Sequence, residues 1–462
     1  MSLFTRGRAL SASQLSRRRF LTIAGGAAAS IPILSACGAP GGGSASGGFA
    51  QPDVAPPSQF AGRQNVVFWS GWSGTNGEVL ANLINKFNES QQDIYVEVQV
   101  FQGYDGLTEK LSAGLQARQV PELAIFSDVS WNKFFLSGHM EPLSSYFSDT
   151  WNADTYHDRL YAEGVVRDEP YWLPFGRSTP LFYYNKEVFA QAGLPDRAPE
   201  TWDEFRDWGN RITGRDYRGN KLMMRAYTGS DDWYFQGLLW NYGGALSEGL
   251  DVTVDSAEAI AAAEFDRACV NDDKIGYLAQ EMNTDFTNGL VATITNSTGS
   301  LTGLTKGAEA AGFELGAGFL PVGADTGVPT GGAGLGILKN ADPERKAAAA
   351  KVIEFLSGDE QAAEWAVGTG YLPATKGATQ SPIVTSRIAE DPNYGLAVEQ
   401  LDRARQPDPA RLYVGSTILE MRTVIQKLYT ENADPAAALG AAAAVMRRDI
   451  EDIRPQYEEL VA

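Results

Sequence analysis

Cysteine and histidine are nearly absent from this chain, with two of each in 462 residues. His139 and His157 stand 18 residues apart in loop-like sequence, without the spacing that puts two imidazoles on one helix face. Cys269 lies alone in an alanine-rich helical stretch and reads as a small core residue. These scarcities exclude a disulfide framework and a cysteine metal cluster, and they leave a histidine-based hydrolytic triad with almost no material. No nucleophile elbow is present, and after residue 62 there is no tandem repeat and no low-complexity segment. Positive charge is also short: 38 Lys and Arg face 57 Asp and Glu, a formal net charge of −19. That balance argues against nucleic acid and against a basic membrane-docking surface. It leaves the ligand open, because one local pocket can oppose the global sign.

Where positive charge does gather, it marks an address. Arg6, Arg8, Arg17, Arg18 and Arg19 precede an apolar run of 15 residues from Phe20 to Leu34, too short to span a bilayer comfortably as a lone helix. Ser16-Arg17-Arg18-Arg19-Phe20-Leu21 matches a twin-arginine export signal. Leu34-Ser35-Ala36-Cys37 matches a lipobox, in which the Cys37 thiol is alkylated with diacylglycerol. Residues 1–36 are thus expected to be a signal peptide, and 37–62, rich in Gly, Ser, Ala and Pro, a lipidated cysteine with a flexible tether. Cleavage removes five arginines and no acid, so the formal charge moves from −19 to −24. A body tethered this way works outside the cytoplasm, on the outer face of the cell membrane.

The remaining length is too great for one ordinary core, so two lobes are expected. Strand-like Val66–Trp69, helical Glu78–Phe87, alternating Ile94–Val100, helical Leu107–Leu115 and strand-like Pro121–Asp128 form an α/β unit with a mainly parallel sheet. Ligands of such sheets meet the loops at the carboxyl ends of the strands, which points to Trp69, Ser70, Tyr104 and Asp128. Tyr171–Lys186 reads as one extended segment, followed by a short helix stopped at Gly193. Thr201 and Glu204 have capping-box spacing ahead of a helix from Trp202 to Ile212. Helices are also expected at 256–271, 285–290, 343–356 and 359–367, and a strand at 316–323. Gly331–Leu338 looks like a return crossing between lobes.

Several segments in this order resemble the family 1 extracellular solute-binding proteins of ABC importers. They are Tyr183-Tyr184-Asn185-Lys186, Thr201-Trp202-Asp203-Glu204-Phe205, Phe286-Thr287-Asn288-Gly289, Ser297-Thr298-Gly299-Ser300-Leu301, Gly331-Gly332-Ala333-Gly334-Leu335, Phe355-Leu356 and Gly370-Tyr371-Leu372-Pro373. Within that family the chain is most similar to the glycerol-3-phosphate- and glycerophosphocholine-binding members, especially the actinobacterial form. The resemblance implies a two-lobed periplasmic-binding-protein fold, each lobe a mainly parallel sheet flanked by helices, hinged near 176–178 and 334–336. It divides the body into lobe I, 63–176 plus 337–371, and lobe II, 177–336 plus 372–462. It implies binding without catalysis, no cofactor, a monomer, and ABC permease subunits as partners.

The resemblance also implies site residues. Tyr104 and Asp128 match an aromatic and an acid that hold glycerol hydroxyls, and Ser178 a serine that touches phosphate. Trp233 matches a tryptophan packed on the ligand, Ser297 and Gly331 further phosphate or glycerol contacts, Tyr371 the loop tyrosine, and Arg411 the phosphate-binding arginine. Ser230 departs from the pattern, standing where relatives carry a bulkier residue, which leaves room for a head group larger than glycerol. The residue chemistry agrees: an arginine fork suits phosphate, and aromatic faces suit a sugar ring or a quaternary ammonium. The alternative ligand is a mono- or oligosaccharide. A secreted glycosidase using paired carboxylates is the competing enzyme reading, although with 57 acids some pair always looks suitable.

Overall fold

The computed structural model describes residues 49, 50, 52 and 54–461. The signal peptide and lipidated Cys37 expected from the sequence lie outside the described residues. The end of the expected tether is not free chain. Ser58–Phe60 forms a 3-10 turn, and Phe60 stacks on Tyr95 at 5.2 Å because its ring is apolar surface worth covering.

The first sheet is built from β1 (Gln64–Ser70), β2 (Ile94–Val100), β3 (Leu123–Ser127) and β4 (Leu173–Ser178), with helices α1 (Gly74–Ser90) and α2 (Gly103–Ala117) between its first strands. The chain then enters a second sheet. Its members are β5 (Pro180–Asn185), β6 (Met223–Tyr227), β7 (Gly276–Leu278), β8 (Val291–Ser297) and β9 (Leu315–Gly318), with helices α3 (Trp202–Ile212), α4 (Asp232–Asn241) and α5 (Ala257–Asn271) interleaved. Strand β10 (Gly331–Ile337) returns to the first sheet, and α6 (Pro343–Leu356), α7 (Asp359–Thr369), α8 (Pro409–Tyr413) and α9 (Ser416–Thr430) follow.

The strand orders are β2-β1-β3-β10-β4 and β7-β6-β8-β5-β9. In each sheet four strands point one way and one is reversed: β10 in the first, β5 in the second. The two reversed strands each begin directly after a crossing between sheets. The first crossing is the single residue Thr179 between β4 and β5, so the extended segment is two strands rather than one. The second is at Thr330, ahead of β10. The glycines at 334–336 lie inside β10 and pair with β3 and β4, not at a hinge. Glycine there serves close packing: a Cβ on Gly334 would stand 2.4 Å from the Trp172 ring.

The apolar run of β5 is continuous because both of its faces are covered. Phe182 and Tyr184 join a cluster with Phe205 and Met224, while Leu181 and Tyr183 join another with Ile294 and Leu304 on the opposite face. This is the two-residue period of a strand buried on both sides. The first lobe has its own core around Phe68, Phe126, Trp172 and Ile353. Helix α7 belongs to both, giving Ala362 and Ala363 to the second lobe and Trp365 to the first.

Local signals set the helix ends. Thr201 caps α3 by accepting from the Glu204 N–H at 3.1 Å, and Pro343 opens α6 at its first position. Helix α1 starts at Gly74, four residues ahead of the expected start at Glu78, because Gly74 has a φ of +56° and turns the chain directly into the helix. The strand expected at 316–323 stops at Gly318.

The second lobe also buries one cation with two acids. Arg225, Asp231 and Asp266 are all 5% exposed or less. The Arg225 guanidinium lies over the Tyr227 ring at 4.3 Å and 4.0 Å from Asp231. Tyr429 donates to Asp266 at 2.8 Å. One guanidinium cannot neutralise both carboxylates, and burial pushes the Asp231 carboxyl up to about 7 from 3.8. Between those values the folded protein holds a proton that the unfolded chain has released, so this group's contribution to stability falls as pH rises. Asp231→Asn should therefore gain stability relative to the parent between pH 4.5 and 8, by roughly 2–4 kcal/mol. Urea unfolding at the two pH values checks this; an equal difference at both would rule out a proton held on Asp231 in the folded state.

Candidate functional site

The carboxyl ends of the first-lobe strands point at the gap between lobes, and the expected residues gather there. Ser70 ends β1, and its hydroxyl accepts from the Trp72 N–H at 3.1 Å, turning the Trp72 ring inward. Trp72 donates through Nε1 to the Tyr104 hydroxyl at 2.9 Å, and that hydroxyl is 3.1 Å from Tyr371 Oη. The rings form a platform: Trp72 and Trp365 are 4.6 Å apart, Phe175 stacks on Trp365 at 4.6 Å, and Tyr371 stacks on Trp365 at 5.6 Å. Offset stacking of this kind holds ring faces rigidly in place. Tyr371 lies against two backbones without side chains. A Cβ would come within 2.5 Å of its ring at Gly299 and within 3.4 Å at Gly176.

Asp128 follows β3 directly. It is 8% exposed, and its N–H donates to the Gly332 carbonyl at 3.1 Å. Its carboxylate is 3.8 Å from Arg177, which is fully buried, pairs with Glu163 and lies over the Trp172 ring at 5.1 Å. Burial pushes both the Asp128 and Glu163 carboxyls up. Arg177 opposes this at each, and Arg411 opposes it further at Asp128. Arg411 therefore acts on Asp128 from the other lobe.

Arg411 sits on the short helix α8, 7% exposed, with one guanidinium nitrogen on Asp232. Its Nε is buried without a hydrogen-bond partner. Asp232 is the first residue of α4, and the next, Trp233, donates from Nε1 to the Thr330 carbonyl at 2.9 Å. The Trp233 ring covers Gly331, where a Cβ would come within 2.3 Å. Gly331 in turn pairs with Ser178 across β10 and β4. Ser297 ends β8 opposite Pro180, and its hydroxyl accepts from the Gly299 N–H at 3.0 Å.

The eight residues thus join two hydrogen-bonded patches. Tyr104, Tyr371 and Ser297 meet around Gly299. Asp128, Ser178, Gly331, Trp233 and Arg411 meet around the second crossing. Ser230 is exposed, and its hydroxyl is 3.0 Å from that of Thr228. Beside the first patch an open groove of 370 Å³ runs between the lobes, lined by Ser73 and Asn76 on one side and Asn283, Gly299 and Ser300 on the other. A larger groove of 490 Å³, around Tyr184, Phe319 and Arg403, lies in the second lobe and includes none of the eight.

Residues the sequence reading passed over are Arg177, Asp232 and the tryptophans Trp72 and Trp365. Arg177 had a signal: a charge inside an apolar extended segment has to be buried and paired. Asp232 had none, since an acid in the first turn of a helix reads as an ordinary dipole partner.

Residues 82–394 match the family model described as bacterial extracellular solute-binding protein. The sn-glycerol-3-phosphate-binding periplasmic protein UgpB of Salmonella typhimurium is 27% identical over 413 residues, covering 82% of this chain and 90% of that protein. The crystal structure of UgpB from Mycobacterium tuberculosis in complex with glycerophosphocholine superposes with a TM-score of 0.79 at 30% identity, covering 85% of this chain and 99% of that one. The GacH receptor of Streptomyces glaucescens, solved unliganded and with acarbose, shares the fold with a TM-score of 0.75 at 19% identity, covering 84% of this chain and 99% of that one.

Gly332 is the strictest position at the crossing. Its φ is +100°, and a Cβ would come within 2.0 Å of the Gly176 carbonyl oxygen. Gly332→Ala should lower stability by about 2 kcal/mol or more, combining left-handed strain with a backbone clash. Thermal unfolding measures it; a melting temperature within one degree of the parent would mean that the crossing is looser than its geometry.

Proposed function

The chain belongs to the bacterial extracellular solute-binding proteins, and from that premise we propose that it is the substrate-binding component of an ABC importer for a glycerophosphodiester. The ligand is of the glycerophosphocholine type. It binds in the inter-lobe cleft, without turnover, and passes to the permease. Arg411, Ser178 and Ser297 grip the phosphate; Trp233, Tyr104 and Tyr371 pack on the remainder; Asp128 takes glycerol hydroxyls; and Gly331 leaves backbone room.

The observation that carries this reading is the buried Nε of Arg411, which has no hydrogen-bond partner although its guanidinium sits between Asp232 and Asp128. A buried guanidinium N–H without an acceptor is costly, and a phosphate oxygen relieves it. The charge balance then favours a diester. The guanidinium groups of Arg177, Arg411 and Arg422 match the carboxylates of Asp128, Glu163 and Asp232 one for one. A phosphomonoester dianion adds two negative charges to that balance, whereas a phosphodiester carrying a quaternary ammonium adds none. The identity to UgpB bound to glycerophosphocholine supports the same class. A neutral sugar fits the aromatic platform and its hydroxyls can accept from the Arg411 Nε–H, but without the charge-assisted strength of a phosphate oxygen.

The protein works outside the cytoplasm as a monomer, held to the membrane by a diacylglycerol on Cys37 after twin-arginine export. Arg411→Ala should weaken glycerophosphocholine about ten- to a hundredfold by calorimetry, since a hydrogen bond to a charged group is worth roughly 1.5–3 kcal/mol. It should barely change any disaccharide affinity. A ligand at 100 times its dissociation constant should stabilise the parent by about 2.7 kcal/mol. If disaccharides and not phosphodiesters do so, the carbohydrate reading takes over. Cys37→Ala should appear in the soluble fraction; continued partition with membranes would remove the lipoprotein assignment.

A further inference from the structure

Behind Arg411 runs a chain of charges that the binding reading does not use. Asp232, 1% exposed, divides its two oxygens: one takes Arg411, and the other accepts from Arg422 Nε at 2.8 Å. Arg422, on α9 of the second lobe, sends its other end to Asp105 at 2.9 Å. Asp105 belongs to α2 of the first lobe and follows the site residue Tyr104. Side-chain exposure is 7% at Arg411 and 1% at Asp232, then rises to 34% at Arg422 and 78% at Asp105. The buried end is the site, and the solvent end is on the opposite lobe.

We propose that Asp232 and Arg422 are positioning residues of the binding site, and that Arg422 with Asp105 forms a latch coupling the aim of Arg411 to closure of the lobes. This rests on the reading that the cleft binds an anionic ligand through Arg411. A planar guanidinium with one partner can pivot about that contact. Fixing the carboxylate from behind by a second guanidinium removes the pivot, so the Arg411 guanidinium keeps one orientation. Because the second guanidinium reaches across to α2, the lobes must be together for the whole chain to form. Opening breaks its most exposed link and frees Arg422, and with it Asp232. The latch is a surface ion pair, so it is weak and sensitive to salt. A receptor that must release its cargo needs a closure contact of that strength.

The test uses the full chain carrying Cys37→Ala, with glycerophosphocholine as the ligand in stopped-flow at 20 and 500 mM NaCl. Asp105→Asn should raise the dissociation rate about two- to fivefold at low salt, leave the association rate within twofold, and lose its effect at high salt. Arg422→Gln should show the same salt-dependent loss plus a loss that persists at 500 mM, because Asp232 has lost its second partner. Arg422→Lys should restore the first component but not the second, since an ammonium reaches one carboxylate at a time. An unchanged dissociation rate in Asp105→Asn at low salt overturns the latch. A fully salt-sensitive Arg422→Gln overturns the positioning role.

A second readout does not depend on the ligand. Spin labels at Glu89→Cys on α1 and Glu258→Cys on α5 report the distance between lobes in the unliganded protein, with Cys269 buried out of reach. Asp105→Asn should move the distribution to longer distances at low salt, and an identical distribution overturns the latch. If glycerophosphocholine fails to bind the parent, the phosphodiester reading falls, while the label distances still decide the latch.

Discussion

The arrangement depends on how two buried guanidinium groups are neutralised. Arg177 and Arg411 enter the cleft from opposite lobes, and neither could stay buried without a carboxylate in contact. Arg177 takes Glu163 and leans on Asp128; Arg411 takes Asp232 and bears on Asp128 from the far side. Asp128 is therefore the point at which the electrostatics of the two lobes meet. Removing Glu163 or Asp232 would take from a buried guanidinium its closest carboxylate. The same pairing leaves the Nε of Arg411, and the Nε and one terminal nitrogen of Arg177, buried without a hydrogen-bond partner.

The backbone makes room for this charge cluster with glycine. Where strands and rings approach within a side chain's thickness, Gly176, Gly299, Gly331 and Gly332 stand at the contacts. The cost in chain entropy is offset by aromatic packing over the same backbone: Trp72, Trp365 and Tyr371 on one side of the crossing, Trp233 on the other. The result is a junction that is rigid within each lobe. Two of the connections between the lobes are short, at Thr179 and Thr330, and the chain passes between them a third time at α7.

Much of this was legible in order along the chain. Strand and helix alternation, the cap at Thr201, the proline opening α6 and the apolar run of β5 are local properties, and each produced the element expected of it. Tyr104 and Asp128 could be placed because strand ends are local too. The scarcity of cysteine and histidine was equally plain. The exact reach of elements was less so: α1 began four residues before its expected start, and the glycines read as a hinge proved to be strand interior. Glycine marks a close approach without saying what approaches.

What the sequence alone determined is therefore the set of elements, their order and the types of group available for binding, because these follow from short-range pattern and composition. What only the tertiary structure decided is which charges meet. Arg411 and Asp232 are 179 residues apart in sequence, and Arg422 and Asp105 are 317 apart. No periodicity or motif links such positions, since a through-space ion pair requires only that two side chains arrive at the same place. Each acid in an acidic chain is an equal candidate until the fold has chosen. Burial then makes the choice strict, because in low dielectric a charge keeps its place only beside its partner.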